Sequence, residues 1–541
     1  MPGVIAAGNP QTAAAGAAML RRGGNAVDAA VAAAFASFVA ELGVVHLGGS
    51  GLAQIYDPTS SQSLVYDFFS AMPGLGSAER AESQHGGLDF QQVIIDYGAT
   101  TQSFYLGRGS VAVPGNVIGL CRLAADFGSL SLAEILAPAI ELAREGALLD
   151  AFQADTCELL RPLYTHTKGM RAIFTPAGRM VADGERIFIP GLAKTLQTLA
   201  REGASLARTG RLAQALVTDQ QARGGLVTQA DLERYQVDVE PPITVRYRHY
   251  DVLLPPPAST GGVLTAFTLK VLNHFEIPPT PGGADHLSLL YEVLAATTRA
   301  RPYWEKAWAG MANTEAIAYF LGEELINSFA REVGAALAGN RPSTAHAEPP
   351  GAGNTSHLGV IDDRGMAVGL TTTAGESAGY VIPGTGFIPN NILGEEDLNP
   401  HGFHQWPAGA RIPTMMAPTI VRLNDSIRLV TGSGGSNRIR SAILQVLINV
   451  LDYEMALEEA VNAPRVHVQD GVLQCEAGYD PEAVGRLEEI GYSVNRWASR
   501  SIYFGGAHSV ARQEDGSLIG AGDDRRGGSV ALVNGAIAED A

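Results

Sequence analysis

Cysteine is scarce in this chain, with 3 residues in 541, and Cys121, Cys157 and Cys475 stand far apart without a CxxC or HxxxH pairing. That spacing excludes a disulfide framework and an ordinary zinc ligand set, so each thiol is expected to be a small buried hydrophobe. Positive charge is short as well: 38 Lys and Arg face 56 Asp and Glu, for a net charge of −18. Phosphate binding needs a basic surface, and this balance excludes nucleic acid as a partner. No apolar run reaches the roughly 20 residues of a membrane-spanning helix. The most apolar stretch, Val27 to Val39, is Ala-rich, carries Asp28 and is followed by Glu41, and it reads as a buried helix. The first residues lack the basic region and apolar core of a signal peptide, which sets a cytoplasmic location as the expectation. No Lys-Ser/Thr follows a Gly-rich loop, so a P-loop is absent too.

What is present describes a well-buried globular protein, 46% hydrophobic and 17% charged. Length leaves open whether it forms several domains or one long catalytic unit. Residues 10–22 read as an Ala-rich helix ended by Gly23-Gly24, after which Asn25 caps a second helix with Asp28 at its third position. Strand patterns follow at 51–56 and 63–67, residues 68–110 read as irregular, and a helical section runs from about 115 to 220. The segment 255–262, rich in Pro and Gly, reads as a turn into a helix near Val263, and 284–335 is again helical.

The stretch that organises the chain is Asn354-Thr355-Ser356-His357. Residues 341–353 are too rich in Pro, Gly and small side chains to continue a helix or central strand, so a loop ends at a Thr. Leu358 to Ile361 and Met366 to Thr373 read as strands joined by Asp-Arg-Gly, a three-residue hairpin loop with Gly365 in the left-handed position. Pairing Asp362 with Met366 puts Thr355 opposite Thr373. If the bond before Thr355 were cut, Thr355 would carry a nucleophilic hydroxyl and a free α-amine to act as its base. An α-amine, with a pKa near ~8, can exchange protons at working pH. His357, two residues on, is expected to pack or hydrogen-bond locally.

Asn354-Thr355-Ser356-His357, the TxT run ending at Thr373, the loop Thr431-Gly-Ser-Gly-Gly-Ser436 and Gly23-Gly-Asn-Ala-Val-Asp-Ala-Ala30 together resemble the γ-glutamyltranspeptidase family, from Gly8 to about Val533. The resemblance implies an α+β fold, the αββα four-layer sandwich of N-terminal-nucleophile hydrolases. It also implies a precursor that cleaves itself between Asn354 and Thr355 into a large subunit, 1–354, and a small one, 355–541. It assigns Thr355 as nucleophile, Thr373 as its hydrogen-bonding partner, and the backbone N–H groups of Gly435 and Ser436 as oxyanion donors, with Ser436 standing where better-known members have Gly. Gly384 to Asn391 is similar to the family's Gly turn leading to paired asparagines.

On the substrate side this sequence departs from the glutamyl-specific members. Gly375 stands where they carry an Asn, Glu395 where they carry the Asp that receives an α-amine, and Thr414-Met415 where a Ser-Ser pair completes carboxylate recognition. Arg80 and Arg108 are the available arginines for the substrate carboxylate. Each lost polar contact to a charged group weakens binding by roughly 1.5–3 kcal/mol, which removes selectivity for glutamate. The expected chemistry is therefore hydrolysis of a small-molecule amide, or transfer of its acyl group to an amine, through a Thr355 ester, with no cofactor and no metal. An acylase of the same fold with a non-glutamyl substrate, an uncleaved binding protein, and anion binding at the Gly-rich loops are the alternatives.

Overall fold

The computed structural model describes residues 1–76, 87–96, 101–343 and 353–534. Two sheets lie face to face. The first has seven strands in the order Ser529–Val533, Gly3–Ala7, Ser356–Asp362, Ala367–Thr373, Ser50–Asp57, Gln62–Phe68 and Asp238–Glu240. The second has six, in the order Leu518–Ala521, Ser509–Arg512, Ser426–Thr431, Thr419–Leu423, Tyr250–Leu254 and Ile243–Tyr247. Val4, Ala6, Tyr56, Ile361 and Ala367 of the first meet Leu253, Ile420, Ile427, Val430 and Val510 of the second in a shared buried layer. Alternation of side chains along each strand leaves the opposite faces for helices.

Those outer faces are covered as the expected four layers require. Pro10–Arg21 and Ala26–Ala40 pack on the first sheet and Thr260–Leu272 on the second, with Arg438–Leu451 packed against Thr260–Leu272. Asn9 and Asn25 cap the first two helices, and Asn25 with Asp28 forms a full capping box. All 15 residues of Ala26–Ala40 are buried, which explains why that stretch shows no polar stripe. Asp28 also receives the N–H groups of Ser129 and Leu130, so this conspicuous motif is a structural tie. All three cysteines are buried and free. Among the described residues no helix is long and apolar enough to cross a membrane.

One expectation fails in the stretch 68–110. Gln91–Asp96 and Thr101–Leu106 pair as antiparallel strands there. Gln102, Phe104 and Leu106 turn inward, but the partner strand is mostly exposed, so its run of Val93, Ile94 and Ile95 shows no period-two signal.

Both sheets draw strands from before and after the Asn354–Thr355 bond. A cut there would leave the two pieces interleaved in shared hydrogen-bonded ladders.

Candidate active site

The hairpin carrying Thr355 has the register its turn dictates. Pairs run from Ser356 with Thr372 to Ile361 with Ala367, a ladder that continues to Thr355 opposite Thr373. Gly365 has φ +89°, and its N–H donates to the Asp362 carbonyl at 3.0 Å. Asn354, Thr355 and Thr373 are all buried.

The bond before Thr355 is held from several directions. Thr373 Oγ donates to the Asn354 carbonyl at 2.5 Å and itself accepts the Gly375 N–H at 3.0 Å, an arrangement that aims its proton at that carbonyl. The resemblance implies that Thr373 pairs with the nucleophile or its amine; with the chain continuous, its partner is the carbonyl one residue earlier. Glu376 accepts both the Asn354 backbone N–H and its Nδ2–H, each at 2.9 Å. On the far side, Arg526 Nη1 donates to the Thr355 carbonyl at 3.2 Å.

The glycine loop lies between the strand Ser426–Thr431 and the helix Arg438–Leu451. Its backbone closes on the nucleophile so tightly that a Cβ on Gly434 would sit 2.0 Å from the Thr355 carbonyl oxygen, and one on Gly432 would sit 2.4 Å from the His357 ring. Gly435 and Ser436 have φ of +114° and +50°. A left-handed conformation is natural for Gly and strained for Ser. Ser436 is kept there by its hydroxyl, which donates to the buried Asp397 Oδ2. Burial lowers His357 to about 3, and its Nδ1 pairs with Thr371 Oγ1 at 2.8 Å, so it is a neutral, locally bonded group.

A Thr one residue before a strand thus has a second hydroxyl on its preceding carbonyl and a glycine loop against its own carbonyl. The family model for gamma-glutamyltranspeptidase matches residues 12–533. The chain belongs to the γ-glutamyltranspeptidase family. Among curated members it is 33% identical to the Acylase ACY 1 proenzyme of Pseudomonas sp. (strain SE83), covering 99% of this chain and 94% of that one. It is 28% identical to the glutathione hydrolase proenzyme of Escherichia coli (strain K12), covering 97% and 90%. Among solved structures, the cephalosporin acylase from Bacillus halodurans superposes with a TM-score of 0.85 at 24% identity, over 99% of this chain and 96% of that one, which supports the shared fold.

Within this family member the substrate-side residues fall into distinct places. Gly375 has φ +65°, and a Cβ there would meet Glu395 Oε1 at 2.1 Å and Asn391 Oδ1 at 2.2 Å. The space that a longer residue at 375 would need is therefore taken by Glu395. Burial, then the neighbouring carboxyl groups of Asp397 and Glu376, push Glu395 well above the usual carboxylate range. Asn391 Oδ1 accepts the N–H groups of Glu376 and Ser377, and Asn390 ties Gly48 to Ala112, so the paired asparagines shape the turn after Thr373. Thr414 and Met415 line a cavity of about 380 Å³ with Trp308, Trp406, Arg301 and Asp397. Asp397, in that lining, is the residue that anchors Ser436.

Arg108 is committed elsewhere. It pairs with Asp89 at 3.1 Å and Asp219 at 3.0 Å and lies 3.9 Å over the Tyr380 ring. Arg80 lies outside the described residues. Among the described residues no cluster of His, Cys, Asp and Glu is placed to hold a metal ion.

Sequence reasoning missed Glu376, Asp397 and Arg526. A signal for Glu376 existed: between Arg364 and Glu395 it is the one charged residue, in a run of small and apolar side chains where a carboxylate calls for a partner. Arg526 follows Arg525 in a turn whose neighbours form a buried charge network, and its N–H donates to the Asp523 carbonyl at 3.1 Å. Asp523 pairs with Arg465 at 2.7 Å and with Arg525 at 3.1 Å, and Arg525 reaches Glu476 at 2.5 Å.

Proposed function

We propose that this chain is a self-processing amidohydrolase or acyltransferase that works through a Thr355 acyl-enzyme. The observation that carries the reading is the Thr373 hydroxyl aimed at the Asn354 carbonyl, one residue before a buried Thr. A donor fixed on a carbonyl stabilises the charge that forms when a nucleophile attacks it.

In the first act, Thr355 Oγ attacks the Asn354 carbonyl carbon. The peptide nitrogen takes up a proton as it leaves, an ester forms, and water hydrolyses the ester to give chains ending at Asn354 and beginning at Thr355. In the second, the freed α-amine accepts the Oγ proton as Thr355 attacks a substrate amide, and the Gly435 and Ser436 backbone holds the oxyanion. The amine of the substrate departs with a proton, and water or an acceptor amine resolves the ester. Two pieces sharing both sheets would stay associated. Relatives that carry the word proenzyme in their names support the processing step.

For the acyl group, a non-glutamyl substrate is the better reading. The space beside Gly375 is filled by Glu395, Arg108 is held by two carboxylates, and Met415 faces a cavity lined by tryptophans. The test is release of p-nitroaniline from γ-glutamyl p-nitroanilide and from simple acyl p-nitroanilides. Release by the wild type that vanishes in Thr355→Ala supports the enzyme, and a ranking that puts γ-glutamyl first overturns the non-glutamyl reading.

A further inference from the structure

Glu41 is a buried carboxyl group that the mechanism does not use, and it stands beside the nucleophile. It follows the last residue of the helix Ala26–Ala40, and its backbone is fixed on both sides. Its N–H donates to the Ser37 carbonyl at 2.7 Å, and its carbonyl accepts the Val44 and Val45 N–H groups at 2.8 and 2.9 Å. The side chain reaches from the helix layer to the start of the strand Ser356–Asp362. Oε1 accepts the Thr12 hydroxyl and Oε2 the Ser356 hydroxyl, each at 2.6 Å. Gly8 leaves room for this contact, since a Cβ there would stand 2.7 Å from Glu41 Oε2. Burial pushes the carboxyl group up, and the two hydroxyls pull it back.

The turn that Glu41 opens touches both neighbours of Thr355. The Gly43 carbonyl accepts the Asn354 Nδ2–H at 3.3 Å, while Glu41 takes Ser356. Only the second contact still bears on Thr355 once the bond between Asn354 and Thr355 is cut. In the precursor Thr355 is tied into the chain from both sides; as a terminal residue it is tied from one. A chain terminus is poorly ordered unless something holds it down. The placing of Thr355 Oγ then depends on what holds residue 356 and on Arg526, which donates to the Thr355 carbonyl. A displacement of about 1 Å can cost a reaction about 10²-fold.

We propose that Glu41 is a positioning residue: by holding the Ser356 hydroxyl it fixes Thr355 where its Oγ can attack an acyl group in the cleaved enzyme. The role is exerted through residue 356 and calls for no contact with substrate. The inference rests on the reading of Thr355 as an N-terminal nucleophile.

The test compares Ser356→Ala, Glu41→Ala, the double variant and Thr12→Ala in the full chain. Self-cleavage is followed by intact mass, and hydrolysis of butyryl p-nitroanilide is measured on the cleaved proteins. Ser356→Ala and Glu41→Ala should each lower kcat about tenfold or more, with KM within about twofold of the wild type. The double variant should fall no further than Glu41→Ala, because both changes remove one shared contact. Self-cleavage should slow less than turnover, because the precursor keeps its second tether. Thr12→Ala takes the other hydroxyl from the same carboxyl group at the same distance, so it measures a purely structural effect. Its melting temperature should fall as that of Ser356→Ala does, and its loss of kcat should be about fivefold smaller or less still.

Equal losses of kcat in Ser356→Ala and Thr12→Ala, losses that multiply in the double variant, self-cleavage slowed as much as turnover, or an unchanged kcat in Ser356→Ala would each overturn the proposal. If Glu41→Ala does not fold, the comparison of Ser356→Ala with Thr12→Ala decides alone. Should the wild type be cut yet leave the anilide intact, the rate of first acylation by p-nitrophenyl butyrate takes the place of kcat. A wild type that is never cut, or is cut and reacts with neither compound, overturns the nucleophile reading itself and this inference with it, whatever the variants do.

Discussion

Replacing Thr373 by Val keeps the shape of the residue and removes the hydroxyl that donates to the Asn354 carbonyl. Before reaction the lost bond is worth about 1 kcal/mol. As Thr355 Oγ attacks, that carbonyl oxygen gains charge, and loss of a donor to such an oxygen costs about 2.7–4 kcal/mol, or roughly 10²–10³ in rate. The Gly375 N–H, which donates to Thr373 Oγ, is left against a methyl group at about 1–3 kcal/mol. That second cost falls on ground and transition state alike, so it lowers stability without changing the rate. Thr373→Val should therefore be less stable than the wild type and cleave 10²–10³-fold more slowly, at about the magnitude just given, while Thr373→Ser should cleave close to the normal rate. The assay is refolding from denaturant followed by a time course of intact mass. Cleavage of Thr373→Val within about threefold of the wild-type rate would refute the assignment of the hydroxyl as a transition-state donor.

Three further outcomes follow from the same geometry. Gly434→Ala puts a Cβ 2.0 Å from the Thr355 carbonyl oxygen, backbone against backbone, so activity and cleavage should fall together, read by anilide assay and mass; a fully active variant contradicts the close approach. Asp523→Asn leaves the buried Arg465 and Arg525 without their shared carboxylate and should cost about 3–5 kcal/mol by urea titration. Asp523 is held below its ordinary range, after its burial is outweighed by those two guanidinium groups, so its contribution is present above the unfolded pKa and is lost as acid protonates it in the folded state. Glu376 has the opposite sign: burial raises it to about 8, so folding gains nothing from it at low pH and bears a growing penalty as pH rises from about 4.5 to about 8. In a Thr355→Ala background, Glu376→Gln should gain stability relative to Glu376 across that window, by an amount on the order of 5 kcal/mol at the top, and a pH-independent difference contradicts the burial of its charge.

What could be read from the sequence is what short-range chemistry determines. The Asp-Arg-Gly loop fixes the hairpin because only one residue of three needs a left-handed backbone, and Gly365 supplies it; the register then brings Thr355 and Thr373 together without further information. The cap at Asn25 is equally local. The four-layer stacking came through family resemblance, since periodicity alone does not say which sheet face meets which helix. What stayed hidden depends on partners distant in the chain. Asp397 matters because Ser436 needs an anchor for a strained backbone 39 residues on, and Arg526 matters because it donates to the Thr355 carbonyl from 171 residues away. The strand pair Gln91–Asp96 and Thr101–Leu106 escaped notice because Ile94 is apolar yet exposed between the inward Val93 and Ile95, so the sequence shows no alternation. Glu376 lay between these cases, visible as an isolated charge but without a visible partner until the turn after Thr373 folds back on Asn354.

The central claim is that Thr355 becomes an amino terminus. Intact-mass analysis of freshly purified wild type beside Thr355→Ala tests it directly. The account predicts two fragments in the wild type, Met1–Asn354 and Thr355–Ala541, and one chain in the mutant. A folded wild-type chain that stays whole over days would contradict it, because Thr355 would then have neither a free amine to act as base nor an open site for a substrate.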